Sequence, residues 1–261
     1  TLAAYEPNAL IGGAPHAEYL LYVTEDTTRE TPLETALWIE AAERADYLGA
    51  DILTTSLGYV DFDNTAYTYT YAMLDGQQLP ISRAAHIAAT RGLLVINSAG
   101  NSGNSNFPWI GAPADAADVI AVGAVTATGD LASFSSIGPS ADGRMKPDLV
   151  AQGVANPVYL PNGDIAYVNG TSFSGPWIAA GFACLRQALP EATVAQLKAW
   201  VFESAHQYAT PNNAMGYGIP DFSQALQLGT AALEVNELAG VASLQVVPNP
   251  VGNKFTLYTH Q

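Results

Sequence analysis

The chain has 261 residues, of which 49% are hydrophobic, enough for one large core with a small appendage. Only 13% are charged, and the acidic excess gives a net charge of −15, so the surface repels phosphate backbones and anionic membranes. No apolar run reaches the roughly 18 residues of a membrane span. Nucleic-acid binding and membrane insertion are therefore not expected. The single cysteine, Cys184, excludes an internal disulfide, and its apolar helical setting predicts a core position.

The first half of the chain alternates strand-like and helix-like patterns. Thr31 with Pro32 and Glu34 predicts a capped helix start, and the helical pattern stops near Gly49. A second helix is predicted from Pro80 to Arg91, and strands are predicted at Glu18–Val23, Asp51–Ser56 and Leu93–Asn97. This order predicts an α/β fold with a mainly parallel, doubly wound sheet, whose ligand sites lie beyond the carboxyl ends of the strands.

The second half begins with short strands and ends with helices. Strands are predicted at Val119–Val125 and Leu131–Ser136, and helices after Ser172, after the capping box Thr193–Gln196 and at Phe222–Leu228. Residues 229–243 are interpreted as a linker. The tail, residues 246–258, is interpreted as a turn followed by a strand with no partner.

Two polar segments are candidates for chemistry. Ser172 opens a small-residue helix within Gly170–Pro176, where free backbone N–H groups and the positive dipole end could stabilise an oxyanion. The same pattern also suits a serine that only starts a helix. Asn101 follows a predicted strand at the sheet edge, and its amide could donate to the same oxyanion, although Gly100-Asn101 alone indicates only a turn.

Taken together, these segments resemble the subtilisin-like serine proteases in order and spacing. The resemblance covers residues 1–228 and rests on Asp51–Gly58, Ser98–Asn101, Val119–Val125, Ala132–Pro139, Lys146–Gly153 and Gly170–Ser172. It implies a subtilisin-like three-layer α/β sandwich with the N-terminal part missing.

The resemblance also implies an activity and its residues. Ser172 would be the acylated nucleophile in peptide-bond hydrolysis, and Asn101 the side-chain donor to the oxyanion. An extended polypeptide substrate would pair with Ser56–Gly58 as an added strand. The side chain of the substrate residue before the scissile bond would lie in a pocket with Ser56–Gly58 as one wall and Ser98–Gly100 as the other. The substrate-binding residues are then Ser56, Leu57, Gly58, Ser98, Ala99 and Gly100. No cofactor is required, and we expect a monomer.

Calcium is the one ion that the resemblance brings into consideration. Asp61, Asp63 and Asp75 flank a loop, but they lack a ligand-like spacing. We therefore interpret them as a solvated acidic rim and predict no metal site.

The family pattern also contains an aspartate and a histidine upstream of the serine. Thr1–Ala4 resembles the end of the helix that carries this histidine, so we expect the chain to begin just after the base. His16, His86, His206 and His260 are not predicted to have carboxylate partners. We therefore expect no catalytic triad within these 261 residues.

The tail resembles the start of the C-terminal sorting domain of the type IX secretion system of Bacteroidetes, through Pro248-Asn249-Pro250, Gly252 and Phe255-Thr256-Leu257. This predicts a secreted or cell-surface bacterial enzyme with a peptidase domain at 1–228, a linker at 229–243 and the start of a sorting domain at 244–261.

Two alternatives stay open at this point. One is a peptide-binding module that uses the same groove without chemistry. The other is a lipase- or esterase-type hydrolase, although residue 174 is Ser where Gly-x-Ser-x-Gly requires Gly.

Overall fold

The computed structural model describes residues 1–240, 245–248 and 255–258, with side chains described for residues 1–234. Helices and strands alternate through most of this range. The strands are β1 (Tyr5–Glu6), β2 (Leu10–Ile11), β3 (Ile52–Thr55), β4 (Leu94–Ser98), β5 (Ile120–Val125), β6 (Leu149–Gln152), β7 (Asn156–Tyr159), β8 (Ile165–Val168), β9 (Gln245–Pro248) and β10 (Phe255–Tyr258), and the helices are α1 (Pro32–Tyr47), α2 (Pro80–Thr90), α3 (Thr171–Ala188), α4 (Val194–Glu203) and α5 (Phe222–Gly240).

Four parallel strands form the central sheet in the order β3-β4-β5-β6. The register places Thr55 of β3 beside Asn97 of β4, and Asn97 beside Ala121 of β5. All residues of β4 and β5 are buried, as expected for parallel strands covered on both faces. The carboxyl ends of β3 and β4 therefore lead into loops at the same edge of the sheet.

Two apolar layers enclose this sheet. Ile96 and Phe182 belong to the layer between the sheet and α3, α4 and α5. Trp38, Ile81 and Val95 belong to the layer between the sheet and α1 and α2. Because side chains alternate along a strand, Ile96 and Val95 face opposite layers. The predicted three-layer α/β sandwich is confirmed.

The predicted helix starts depend on the predicted caps. Thr31 and Glu34 form a capping box with Pro32 at the first helical position, and Thr193 and Gln196 form another. Each box satisfies N–H groups that the helix itself leaves without partners.

Four element predictions were wrong, and the first three follow here. Leu131–Ser136 is not a strand: Leu131 makes one bridge to Val125, and the segment then turns so that the Ser135 hydroxyl accepts from Ala124 N–H at 2.9 Å. The helix predicted to end at Leu228 continues to Gly240, because Gly229 lies against Trp200 and permits close packing instead of ending the helix. The tail strand β10 does have a partner, β9, in an antiparallel pair. Residues 249–254 and His260 lie outside the described part of the chain.

Glu18–Val23 is also not a strand, and the reason concerns the edge of the sheet. The segment makes no backbone–backbone hydrogen bond to any described residue, and Leu21 and Val23 are 88% and 93% exposed. On its outer side, β3 likewise pairs with no strand in the described ranges. A groove of about 1050 Å³ separates the two, lined by residues that include Leu20, Trp38, Ile52, Ser56 and Ala179. We call it the β3 groove.

Cys184 also lines the β3 groove and is exposed, so the predicted core position was wrong. It lies on the face of α3 that borders the groove, where its thiol contacts Gly13 O at 3.6 Å but stays exposed. An apolar helical pattern does not show which of its faces is covered.

Candidate active site

Helix α3 brings Ser172 to the carboxyl edge of the sheet. Gly170 precedes the helix with φ of 147°, a backbone conformation that favours glycine, and its N–H donates to Gly153 O at 2.8 Å. Ser172 is the second residue of the helix and is half-buried. Its hydroxyl and its N–H make no hydrogen bond to another described residue, so both are free to meet a ligand.

Asn101 lies against this helix N-terminus. Its Oδ1 accepts from Thr171 N–H at 2.9 Å and from the Thr171 hydroxyl at 3.0 Å. A distant loop therefore caps the helix, and the amide orientation is fixed because both partners donate to its oxygen. The Nδ2 group makes no hydrogen bond in the described part of the chain and would lie 3.6 Å from a Cβ built on Gly170. It is a free donor next to Gly170 and Thr171, the two residues before Ser172, where an oxyanion site would require one.

Two serines tie the strand ends to the same helix. The Ser56 hydroxyl donates to Ser172 O at 3.0 Å, and the Ser98 hydroxyl donates to Thr171 O at 3.0 Å. Gly100 N–H donates to the Thr171 hydroxyl at 3.2 Å. The structure thus brings Ser172, Asn101 and both predicted walls together.

The segment Ser56–Gly58 leaves β3 with a free backbone edge. Its three residues make no backbone–backbone hydrogen bond within the described ranges. Leu57 O accepts from the Asn97 side chain at 2.9 Å. Unpaired N–H and C=O groups are what an added strand needs.

Sequence reasoning missed Asn97 and Thr171, which hold these walls in place. A polar residue at the end of the otherwise apolar run Leu93–Ile96 could have indicated Asn97. The sequence shows Thr171 only as a member of the Gly170–Ser172 block. Its hydroxyl both donates to Asn101 and accepts from Gly100, a role that needs the fold to become visible.

The three histidines in the described ranges have other partners. His86 Nδ1 lies within hydrogen-bond distance of Asp118 Oδ2, at 2.6 Å, so the prediction that it has no carboxylate partner was wrong. His206 Nδ1 accepts from Ile219 N–H at 2.8 Å, and the His16 ring lies beside Tyr5. None of them is hydrogen-bonded to Ser172.

The acidic residues proposed as a rim have structural contacts. Asp75 accepts from Gln77 and Gln78 N–H groups at 2.8 and 2.9 Å, and Asp63 accepts from Glu30 N–H at 3.2 Å. A different cluster of carboxylates, which was not predicted, lies near the start of α1 and consists of Glu25, Glu30 and Glu34.

Two of these glutamates have local hydrogen bonds. Glu34 closes the capping box, and Glu25 accepts from the Tyr59 hydroxyl at 2.6 Å. Burial, together with the neighbouring carboxylates, raises the pKa of Glu30.

A helix-opening serine beside a free amide donor, at the carboxyl edge of a parallel sheet, is a site suited to acyl transfer. The model of the subtilase family of serine peptidases matches residues 1–218, and the chain belongs to this family.

Individual relatives agree with this assignment. Subtilisin NAT of Bacillus subtilis subsp. natto is 34% identical over 141 residues, which are 54% of this chain and 35% of that protein. Subtilisin BL of Lederbergia lenta is 33% identical over 132 residues, 51% of this chain and 46% of that protein. The chain thus spans less than half the length of these two relatives.

Solved structures show the same fold at low identity. The self-cleaved protease domain of PatA has a TM-score of 0.70 and 22% identity, covering 88% of this chain and 80% of that one. MycP1 from Mycobacterium smegmatis has a TM-score of 0.65 and 21% identity, covering 85% of this chain and 66% of that one.

Proposed function

We propose that this protein is an endopeptidase that hydrolyses peptide bonds through an acyl-enzyme on Ser172. The contact that carries the proposal is the cap between Thr171 and Asn101 Oδ1, because it turns Asn101 Nδ2 into a free donor beside Ser172. The Ser172 hydroxyl attacks the carbonyl carbon and loses its proton to a base. Asn101 Nδ2 and Ser172 N–H stabilise the oxyanion. The base then protonates the leaving amine, and water releases the acyl group.

We further propose that the base and its orienting acid, a histidine and an aspartate, come from polypeptide beyond these 261 residues. The contacts of His16, His86 and His206 support this, because none of them involves Ser172. The β3 groove supports it as well, since it is lined by Ser56, whose hydroxyl contacts Ser172 O. A strand that pairs with the free edge of β3 would end close to the nucleophile.

The proposed substrate is an extended polypeptide that adds a strand to Ser56–Gly58. The opposite wall, Ser98–Gly100, is small, which favours broad acceptance of hydrophobic side chains before the scissile bond. We propose a monomeric, secreted or cell-surface bacterial enzyme whose tail, residues 244–261, begins a sorting domain. No helix in the described ranges is both long and apolar enough to cross a bilayer. The chemistry requires no cofactor.

A fluorophosphonate probe tests this function, since it labels only activated serines. In the protein expressed from its complete coding sequence, we expect rapid labelling and peptide hydrolysis, both abolished by Ser172→Ala. The 261-residue chain alone is expected to react no faster than an ordinary serine. Rapid labelling of Ser172 in that chain would contradict an external base.

The alternatives give different results. A peptide-binding module without chemistry would bind extended peptides but neither label nor hydrolyse them, and its upstream coding sequence would lack the aspartate and the histidine of the family pattern. An esterase would hydrolyse acyl-chain esters without cleaving peptides. Peptide cleavage that depends on Ser172 excludes both.

A further inference from the structure

Asn97 is a buried polar residue whose contacts determine its orientation. Its side chain is 0% exposed, and Nδ2 donates to Leu57 O and to Ser98 O, each at 2.9 Å. Both partners are carbonyl oxygens, which can only accept. The NH₂ group must therefore face them, because the reversed amide would place Oδ1 against two oxygens.

This orientation leaves Asn97 Oδ1 buried and without a hydrogen-bond partner in the described part of the chain. A buried acceptor without a partner is unfavourable, and an apolar side chain like those of Val95 and Ile96 would avoid that penalty. Core packing alone therefore does not explain an asparagine here. Its contribution is the connection that Nδ2 makes to Leu57.

The hydrogen bond from Asn97 Nδ2 to Leu57 O lies just beyond the last backbone pair between β3 and β4. Thr55 beside Asn97 is the last pair between β3 and β4, and the Asn97 side chain then holds Leu57, two residues further along. In an extended segment, the backbone groups of successive residues point to opposite sides. Because Leu57 O faces β4, the groups of Ser56 and Gly58 face away from β4, where a substrate strand would pair.

We propose that Asn97 is a positioning residue that fixes the separation between Ser56–Gly58 and Ser98–Gly100. It thereby determines which side chains fit before the scissile bond. This inference rests on the proposed peptidase function. Asn97 touches both walls through Leu57 O and Ser98 O, so losing its side chain removes the direct hydrogen bond between them and leaves only their contacts with α3.

Asn97→Ala should therefore widen the pocket. We expect kcat/KM for a peptide with Phe before the scissile bond, divided by kcat/KM for the matching Ala peptide, to rise about tenfold. The change should come mainly from a higher KM for the Ala peptide, with kcat little altered, because Ser172 and Asn101 remain in place.

Asn97→Asp should make the Phe/Ala ratio depend on pH, which a purely structural role would not do. A protonated acid can donate one hydrogen bond to Leu57 O, whereas the carboxylate is repelled by both carbonyls. Burial favours the protonated form. The Phe/Ala ratio should approach the wild-type value at acidic pH and the Asn97→Ala value at alkaline pH. Ionisation of the catalytic groups changes kcat/KM for both peptides by the same factor, so its effect cancels in this ratio.

The measurements use the protein from its complete coding sequence and peptides that differ only at the residue before the scissile bond. Ser82→Ala is the matched control, because it removes a buried hydrogen bond, Ser82 to Asp115 at 2.6 Å, that touches neither wall. Fluorophosphonate labelling verifies that each variant folds around an intact nucleophile.

A shifted ratio in both Asn97 variants, with an unchanged ratio in Ser82→Ala, supports the inference. An unchanged ratio in the Asn97 variants, or the same shift in Ser82→Ala, overturns it while the peptidase function stands. Wild-type protein without hydrolysis that depends on Ser172 overturns both.

Discussion

At the scale of single residues, the Thr171 hydroxyl connects two segments of the proposed oxyanion site. Thr171→Val keeps the backbone N–H bond to Asn101 Oδ1 but removes the hydroxyl bond to it and the acceptor for Gly100 N–H. Because one such bond contributes about 1 kcal/mol, we expect kcat to fall about five- to tenfold with little change in KM. Thr171→Ser keeps the hydroxyl and should restore kcat. Equal activity of the Val and Ser variants in peptide assays would contradict this.

Asn101 gives a stronger residue-scale prediction. Asn101→Ala removes the free Nδ2 donor together with the helix cap. We expect kcat to fall about 10²–10³-fold with KM nearly constant, the loss already known for this role in subtilisin. The control is Asn104→Ala, an exposed asparagine of the same loop for which no side-chain hydrogen bond is described. Steady-state kinetics that show a loss mainly in KM would argue against an oxyanion role.

Sequence reasoning selected Ser172 and Asn101 because each occupies a fixed point of a local pattern, next to a recognisable turn or strand. The structure places Asn101 against the start of the helix that carries Ser172, and the roles of both residues stay predictions. Asn97 was not, since its function depends on reaching Leu57, forty residues away, and no local pattern encodes that contact. The predicted core position of Cys184 was wrong for a similar reason, because the exposure of this residue depends on what covers one face of α3.

At the scale of elements, the capping box of α4 supplies a stability prediction. Thr193 Oγ1 accepts from Gln196 N–H at 3.3 Å, and Gln196 Oε1 accepts from Thr193 N–H at 2.9 Å. Thr193→Ala should lower the free energy of unfolding by about 1 kcal/mol. Thr210→Ala, at an exposed threonine with no described side-chain hydrogen bond, should change it little. Urea unfolding of the two variants provides the comparison.

The start of α1 supplies a pH-dependent prediction. The pKa of Glu30 is raised by burial and by the nearby Glu34 and Glu25 carboxylates, so its ionised form is disfavoured in the folded state. Its contribution to stability is therefore fully present below the unfolded-state pKa and is lost as pH rises through the folded pKa. Glu30→Gln should raise Tm at pH 7.5, and the difference should shrink at pH 4. Glu40→Gln, on the exposed face of α1, should show no such dependence in thermal scans.

Helix predictions held where caps and turn residues determine the ends, as at Thr31 and Thr193. Strand predictions held for β4 and β5, which are buried on both faces. They failed for Glu18–Val23, because a strand also needs a neighbour, and an apolar run does not indicate whether one is present.

At the scale of the whole molecule, the two sides of the sheet differ in how well they are protected. β5 lies between paired strands and two apolar layers, whereas β3 has a free edge that borders the β3 groove. In the 261-residue chain, amide hydrogens of β5 should exchange only through global unfolding. Those of residues 18–23, which have no backbone partner among the described residues, should exchange at rates close to those of an unstructured peptide.

The same measurement tests whether further polypeptide occupies the β3 groove. In the protein expressed from its complete coding sequence, a strand that pairs with the outer edge of β3 and with residues 18–23 would protect both, while β5 would stay as slow as before. Hydrogen exchange read by mass spectrometry resolves these segments as separate peptides. Strong protection of residues 18–23 in the 261-residue chain would mean that this segment already has a partner, and the groove could then not receive the strand that we expect to carry an acid close to Ser172.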